Sequence, residues 1–278
     1  MELLLRYPGW KNRALILSYD DGTEQDAWLI DKMEQAGVKG TFNLNSGLFR
    51  PEDRPRSQTA FCRRMTQREA KALYSRPHVE AAAHGRLHQH MELLDKAQAT
   101  FEFASDKAAL EALFGTILCG GAYAYGTYTQ RTTEILASCG LHYCRTVQST
   151  HRFDLPENFL TWHPTCHHGD PAMEELTERF LTEPVKLQPR LFYLWGHTYE
   201  FERDNSWDIM ERFLEKMAKN DQIWYATNGE IFRYIRAFQR LESSSDGKLL
   251  HNPTAQTLWF RAGGEDRKIS PGEVLHFD

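Results

Sequence analysis

From about residue 14 to residue 241, short apolar β-rich runs alternate with amphipathic helical runs, and this alternation constrains the fold more than any other feature of the chain. Strands are predicted at residues 14–19, 38–44, 79–83, 117–122, 142–147, 159–163, 191–195 and 223–226. Helices are predicted at 26–35, from Thr66 onward, and at 93–114, 130–138, 173–181, 207–219 and 228–241. The punctuation agrees: Gly37 and Gly140 stop helices, and Thr66 with Glu69 forms a capping box. Strand–helix repetition on this scale predicts an α/β fold with a parallel sheet, and this many units predict closure into a distorted (β/α) barrel. An open doubly wound sheet is the competing topology, but the sequence has no glycine-rich dinucleotide loop to support it.

Residues 1–243 are expected to form the main domain. Residues 244–278 change character, with Asn252-Pro253, Gly263-Gly264 and Pro271-Gly272 around two strand-like runs, and predict a β-hairpin-like appendage packed on that domain.

Composition narrows the partners. The 278 residues carry a net charge of −5 and no Lys/Arg-rich run, so nothing points to nucleic acid. No run approaches the roughly 18 apolar residues of a membrane span. The first eight residues lack the basic start and apolar length of a signal peptide, so the expected location is cytoplasmic. Oligomeric state is not legible. The five cysteines are widely spaced and odd in number, which favours thiols over a disulfide framework. Cys166 beside His167 and His168 has the donor types of a metal site, although a buried thiol is the ordinary reading.

In parallel α/β barrels chemistry collects where strands end. The first strand ends on Asp20-Asp21-Gly22, and the third on His84 with His88 four residues later. The fourth ends on Tyr123-Ala124-Tyr125-Gly126, and a late one on His197. On a helical turn the two histidines would share a face and meet one metal ion. Each piece alone has a bland reading as a turn, a solvated pair or a satisfied core histidine; their order along the chain is more specific.

That order resembles the polysaccharide deacetylase (NodB-homology) family of carbohydrate esterases over roughly residues 12–235. Ser18-Tyr19-Asp20-Asp21-Gly22 resembles its first motif, and His84-Gly-Arg-Leu-His88 its His-x-x-x-His motif. Tyr123–Gly126 and Leu194-Trp-Gly-His197 resemble two later ones. The resemblance implies Asp20 as general base, Asp21, His84 and His88 as metal ligands, and His197 as general acid. It gives Tyr123, Tyr125, Gly126 and Trp162 to the substrate and oxyanion site. The metal it implies is divalent, zinc first, with cobalt, manganese or nickel as alternatives. The implied partner is an acetylated sugar or another small amide. The third motif lacks the family's usual arginine, and Arg145 is the candidate to hold the base in its place; Asp170 is the candidate carboxylate behind His197. Two other functions compete: hydrolysis of a non-sugar amide or cyclic imide on the same fold, and non-catalytic sugar binding.

Overall fold

The β-strand Arg13–Asp20 (β1) is buried after its first residue, so it must lie between neighbours on both edges and under cover on both faces. It is the centre of one parallel sheet with β2 (Gly40–Leu44), β3 (Val79–Ala83), β4 (Gly120–Ala122), β5 (Tyr143–Arg145), β6 (Cys166–His167), β7 (Arg190–Gly196) and β8 (Ile223–Tyr225). This is a computed structural model, and it describes residues 2–277. The spatial order is β5-β4-β3-β2-β1-β7-β6, with β8 paired to the start of β1.

The sheet curls until its edges meet through one segment. Trp162 bridges to Arg145 on β5, and four residues later Cys166 is paired with Leu194 on β7. The result is the distorted (β/α) barrel. Leu15, Leu17 and Tyr19 of β1 face outward into the core shared with the helices. Ala14 and Ile16 face inward, in line with Ser18 and Asp20. Alternation therefore delivers Asp20, but not Tyr19, to the barrel's open end.

The helices are α1 (Asp26–Ala36), α2 (Gln67–Tyr74), α3 (Lys96–Phe114), α4 (Gln130–Ser138), α5 (Met173–Thr182), α6 (Thr198–Arg203), α7 (Trp207–Met217) and α8 (Asn228–Gln239). Gly37 ends α1 at φ +69°, and Thr66 and Glu69 form the expected capping box of α2.

The run at 159–163 is not a strand. Asn158 accepts the Leu160 N–H at 2.9 Å and winds Phe159–Thr161 into a 3-10 turn, leaving Trp162 with a single bridge. The chain after α8 forms two small antiparallel sheets. Leu258–Ala262 pairs with both Glu265–Ile269 and the N-terminal strand Leu4–Arg6, while Leu249–His251 lies between Glu242–Ser243 and Val274–His276. Leu250, Leu258, Phe260 and Ile269 from this region are fully buried with Leu5, Tyr7 and α8. Among the described residues no helix is long and apolar enough to cross a membrane.

Candidate active site

Asp20, at the end of β1, is buried. Its Oδ1 accepts from Asn43 Nδ2 at 2.8 Å, and its Oδ2 accepts from Arg145 Nη2. Arg145 is itself fully buried, donates from Nη1 to the Thr146 carbonyl at 3.0 Å, and lies 4.3 Å over the Trp195 ring. Burial pushes the Asp20 carboxyl up, but Arg145, His84 and His197 outweigh it and hold the group at about 2. Arg145 thus reaches the carboxylate that the sequence assigns it to hold.

The next residue turns the chain. Asp21 has φ +82° and Gly22 +65°, so two consecutive left-handed residues swing the second carboxylate inward beside the first. Asp21 meets His84 and His88: one donor atom from each lies within 4.8 Å of the other two. The His84–His88 segment is not the helical turn expected from its spacing. His84 ends β3's inward-facing row, Gly85 takes φ +79° and His88 +54°, and the resulting loop brings the rings to 4.8 Å in an edge-on pair.

This loop is held from below. Asp106 on α3 accepts the His84 N–H at 3.1 Å and the Ser46 N–H at 2.7 Å. Glu102, one turn earlier on α3, accepts the Leu87 N–H at 2.8 Å, and Asn45 donates to the His84 and Gly85 carbonyls.

The arrangement fits a divalent ion. His84 Nδ1 donates to the Ala122 carbonyl at 2.9 Å, which fixes the tautomer and leaves Nε2 as the free lone pair. That Nε2 is buried with no hydrogen-bond partner, a costly state that a cation would relieve. Burial, and then His84, lower the affinity of His88 for protons, keeping it in the neutral form a ligand requires. Arg64 donates to Asp21 Oδ1 at 3.0 Å; with the histidines it outweighs the effect of burial and keeps Asp21 ionised.

His197 follows β7 and places Nε2 3.9 Å from Asp20 Oδ2. The carboxylate behind it is Glu200, with Oε2 3.3 Å from His197 Nδ1. Burial pushes the imidazole's pKa down, but Glu200 and Asp20 reverse this and hold it above the ordinary value. Asp170 is not that partner; it pairs with His151 at 2.7 Å.

The aromatic expectations divide. Tyr125, at φ +59°, is half exposed, stacks on His90 with centroids 3.7 Å apart and sets its edge on His88. Gly126 has φ +72°, and any Cβ there would strike Val147. Tyr123 is buried and its hydroxyl is spent on the Leu160 carbonyl, so its side chain packs the core. Trp162 is also fully buried, set edge-on to Tyr143, Phe159 and Tyr193, and offers no face to a sugar. Trp195 and Tyr199, flanking His197, are the aromatic neighbours that the sequence reading missed. It also missed Asn43, Arg64 and Glu200. For Glu200, position i+3 from His197 in a capping box was the available signal.

Comparison with known proteins agrees with this fold. The family model for polysaccharide deacetylase matches residues 10–144. No curated protein matches the chain. Among solved structures, the chain is similar to a protein assigned as a polysaccharide deacetylase from Mycobacterium smegmatis, with 15% identity and TM-score 0.56, covering 86% of this chain and 95% of that one. It is also similar to the Xyl-CE4 domain of a multidomain xylanase from the hindgut metagenome of Trinervitermes trinervoides, with 15% identity and TM-score 0.53, covering 81% and 93%. A third is a family 4 carbohydrate esterase from Streptomyces lividans in complex with acetate, with 14% identity and TM-score 0.50, covering 77% and 91%. At these identities the solved structures speak for the fold, and the family match over residues 10–144, just under half of the chain, makes that part similar to polysaccharide deacetylases.

Proposed function

We propose that the protein is a divalent-metal-dependent deacetylase that removes the acetyl group of an N- or O-acetylated sugar. The observation that carries this reading is the buried, unpartnered Nε2 of His84, aimed at Asp21 and His88 with the ionised Asp20 carboxylate 3.7 Å away. Asp21, His84 and His88 would hold the ion, zinc by the donor set. When bound, such an ion polarises the acyl carbonyl and acidifies water.

The chain's own groups supply the proton transfers. Asp20 accepts the proton of the attacking water, its carboxylate aimed by Asn43 on one oxygen and Arg145 on the other. A carboxylate held at about 2 is a weak base but is ionised at neutral pH. His197, charged more readily than an ordinary histidine, gives its Nε2 proton to the departing amine or alcohol, and Glu200 stabilises the charged ring. The Tyr125 backbone N–H is assigned to the developing oxyanion. The exposed Tyr125 ring offers an apolar face to a sugar.

The reading is tested by acetate release from N-acetylated chito-oligosaccharides and O-acetylated xylan, before and after chelation and metal return. Release should need the metal and should vanish in Asp20→Asn and His84→Ala. Turnover that survives both chelation and His84→Ala would overturn the reading. So would the absence of acetate release from every acetylated sugar, with cyclic amides cleaved instead.

A further inference from the structure

Behind the general acid lies a second cluster of metal-binding donors. His167 Nε2 is 3.0 Å and His197 Nδ1 3.3 Å from Glu200 Oε2, and the three donors all lie within 4.8 Å of one another. None of them belongs to the Asp21, His84, His88 set. We propose that His167, His197 and Glu200 form a second, weaker site for a zinc-type ion, and that filling it switches the enzyme off.

The geometry is close to ready. Donors around a tetrahedral zinc at ~2.0–2.2 Å stand roughly 3.3–3.6 Å from one another. The two pairs that share Glu200 therefore need only a few tenths of an ångström. His197 Nδ1 is buried and its near charged neighbour is the Glu200 carboxylate, which would share the ion. The rings around it have little room to leave. His168, whose Nε2 lies 3.3 Å from the same Glu200 oxygen, is stacked between Phe201 and Tyr19. His167 is set edge-on to Trp195 with centroids 4.7 Å apart. Glu200 Oε2 also accepts the His197 N–H at 3.3 Å, which ties the carboxylate to the turn that presents the ring.

The same geometry makes this the weaker site. His167 Nδ1 accepts the Gly169 N–H at 3.0 Å, which puts the ring's proton on Nε2. Binding through Nε2 as a neutral imidazole requires that proton to be carried on Nδ1 instead, and the Gly169 bond is then lost. His84 has the opposite, favourable tautomer, with Nδ1 donating and Nε2 bare. Losing an orienting partner of this kind weakens metal affinity by about 10–100-fold.

Occupation would disable the acid directly. A metal on Nδ1 takes the place of the Nδ1 proton, which goes to bulk water. The Nε2–H that faces Asp20 then belongs to a metal-bound imidazole instead of an imidazolium, and it is a far poorer donor to a leaving group. This inhibition rests on the function proposed above; the count of bound ions does not.

Zinc uptake by equilibrium dialysis, with cobalt substitution followed by visible absorption, tests the site. The wild type should bind two ions in two steps, the second about 10–100-fold weaker. Acetate release should fall as the second step fills. His167→Ala should keep the first step and lose the second, and excess zinc should no longer depress its activity. His84→Ala should lose the first step and keep the second. Circular-dichroism melts establish that both variants are folded. One ion in the wild type up to millimolar zinc, or an unchanged second step in His167→Ala, would overturn the proposal. Two ions without any acetate release would leave this site standing and remove the deacetylase reading; one ion with acetate release would do the reverse.

Discussion

At the level of single residues, charge placement decides what the site can do. Asp20 is ionised because Arg145 is buried against it; a buried carboxylate with no cation would drift upward. Arg145→Gln should therefore raise the Asp20 pKa and move the acidic limb of kcat/KM toward higher pH, with turnover down by about 10²–10³-fold. A pH–rate profile whose acidic limb does not move would show that Arg145 does not set the base. In the proposed mechanism the other limb belongs to His197, whose pKa is raised by Glu200 and Asp20 against the effect of burial. An acid must be protonated to act, so activity is lost as pH rises through this group. Glu200→Gln should shift the alkaline limb to lower pH in the same measurement.

At the level of elements, close approach between strands places the histidines. β3 and β4 touch through Ala83 and Gly121, and a Cβ on Gly121 would lie 2.0 Å from the Ala83 carbonyl oxygen. Gly121→Ala should push β4 away from β3 and with it the Ala122 carbonyl that sets the His84 tautomer. The expected result is a loss of about 1–3 kcal/mol in denaturant unfolding together with weaker metal binding at the proposed Asp21, His84 and His88 site. Full stability and full metal content in this variant would show that the contact is not tight. Elements also explain which parts of the site were legible in sequence. Asp20, His84 and His197 each follow an apolar β-run, so period and strand end gave them away. Glu102, Asp106 and Asn45 hold the His84–His88 loop from a helix and a turn whose sequences look like ordinary polar surface. Trp162 misled because its place in the chain resembles a motif position, whereas the 3-10 turn before it rotates its ring into the barrel interior.

Two features act on the molecule as a whole. Asp26 is buried between Tyr74, which donates to it at 2.5 Å, and Thr198, and so joins α1, α2 and α6. Burial pushes its pKa up to about 7 from 3.8, and the two hydroxyl bonds only partly oppose this. A folded pKa above the unfolded one means that the folded chain prefers the proton. The stabilisation is fully present below about pH 4 and is lost as pH rises through 7. A rise of this size corresponds to at most about 4 kcal/mol. Asp26→Asn should flatten this part of the stability–pH curve, as read by melting temperature from pH 4 to 8; a variant with the wild-type slope would sink the assignment. The C-terminal strands close the far end of the barrel. Fully burying each large apolar side chain contributes roughly 1.5–3 kcal/mol, against a net stability of about 5–15 kcal/mol. Leu250, Leu258, Phe260 and Ile269 are four such side chains. A chain ending at Ser243 should accordingly lose its cooperative melt, and a sharp transition near the wild-type temperature would show the tail to be dispensable.

The sequence by itself determined the parallel α/β barrel and nominated the candidate donors, because period, caps and strand ends are local patterns that local physics makes visible. Only the tertiary structure decided how these donors meet. It bent Asp21 and His88 through left-handed backbone, where helical spacing would have placed them differently. It brought Arg145 to Asp20 across 125 residues of chain, and it surrounded Glu200 with three imidazoles from two segments. Partners so far apart in the chain leave no periodic trace, and their energies come from burial and charge that exist only after the barrel has closed.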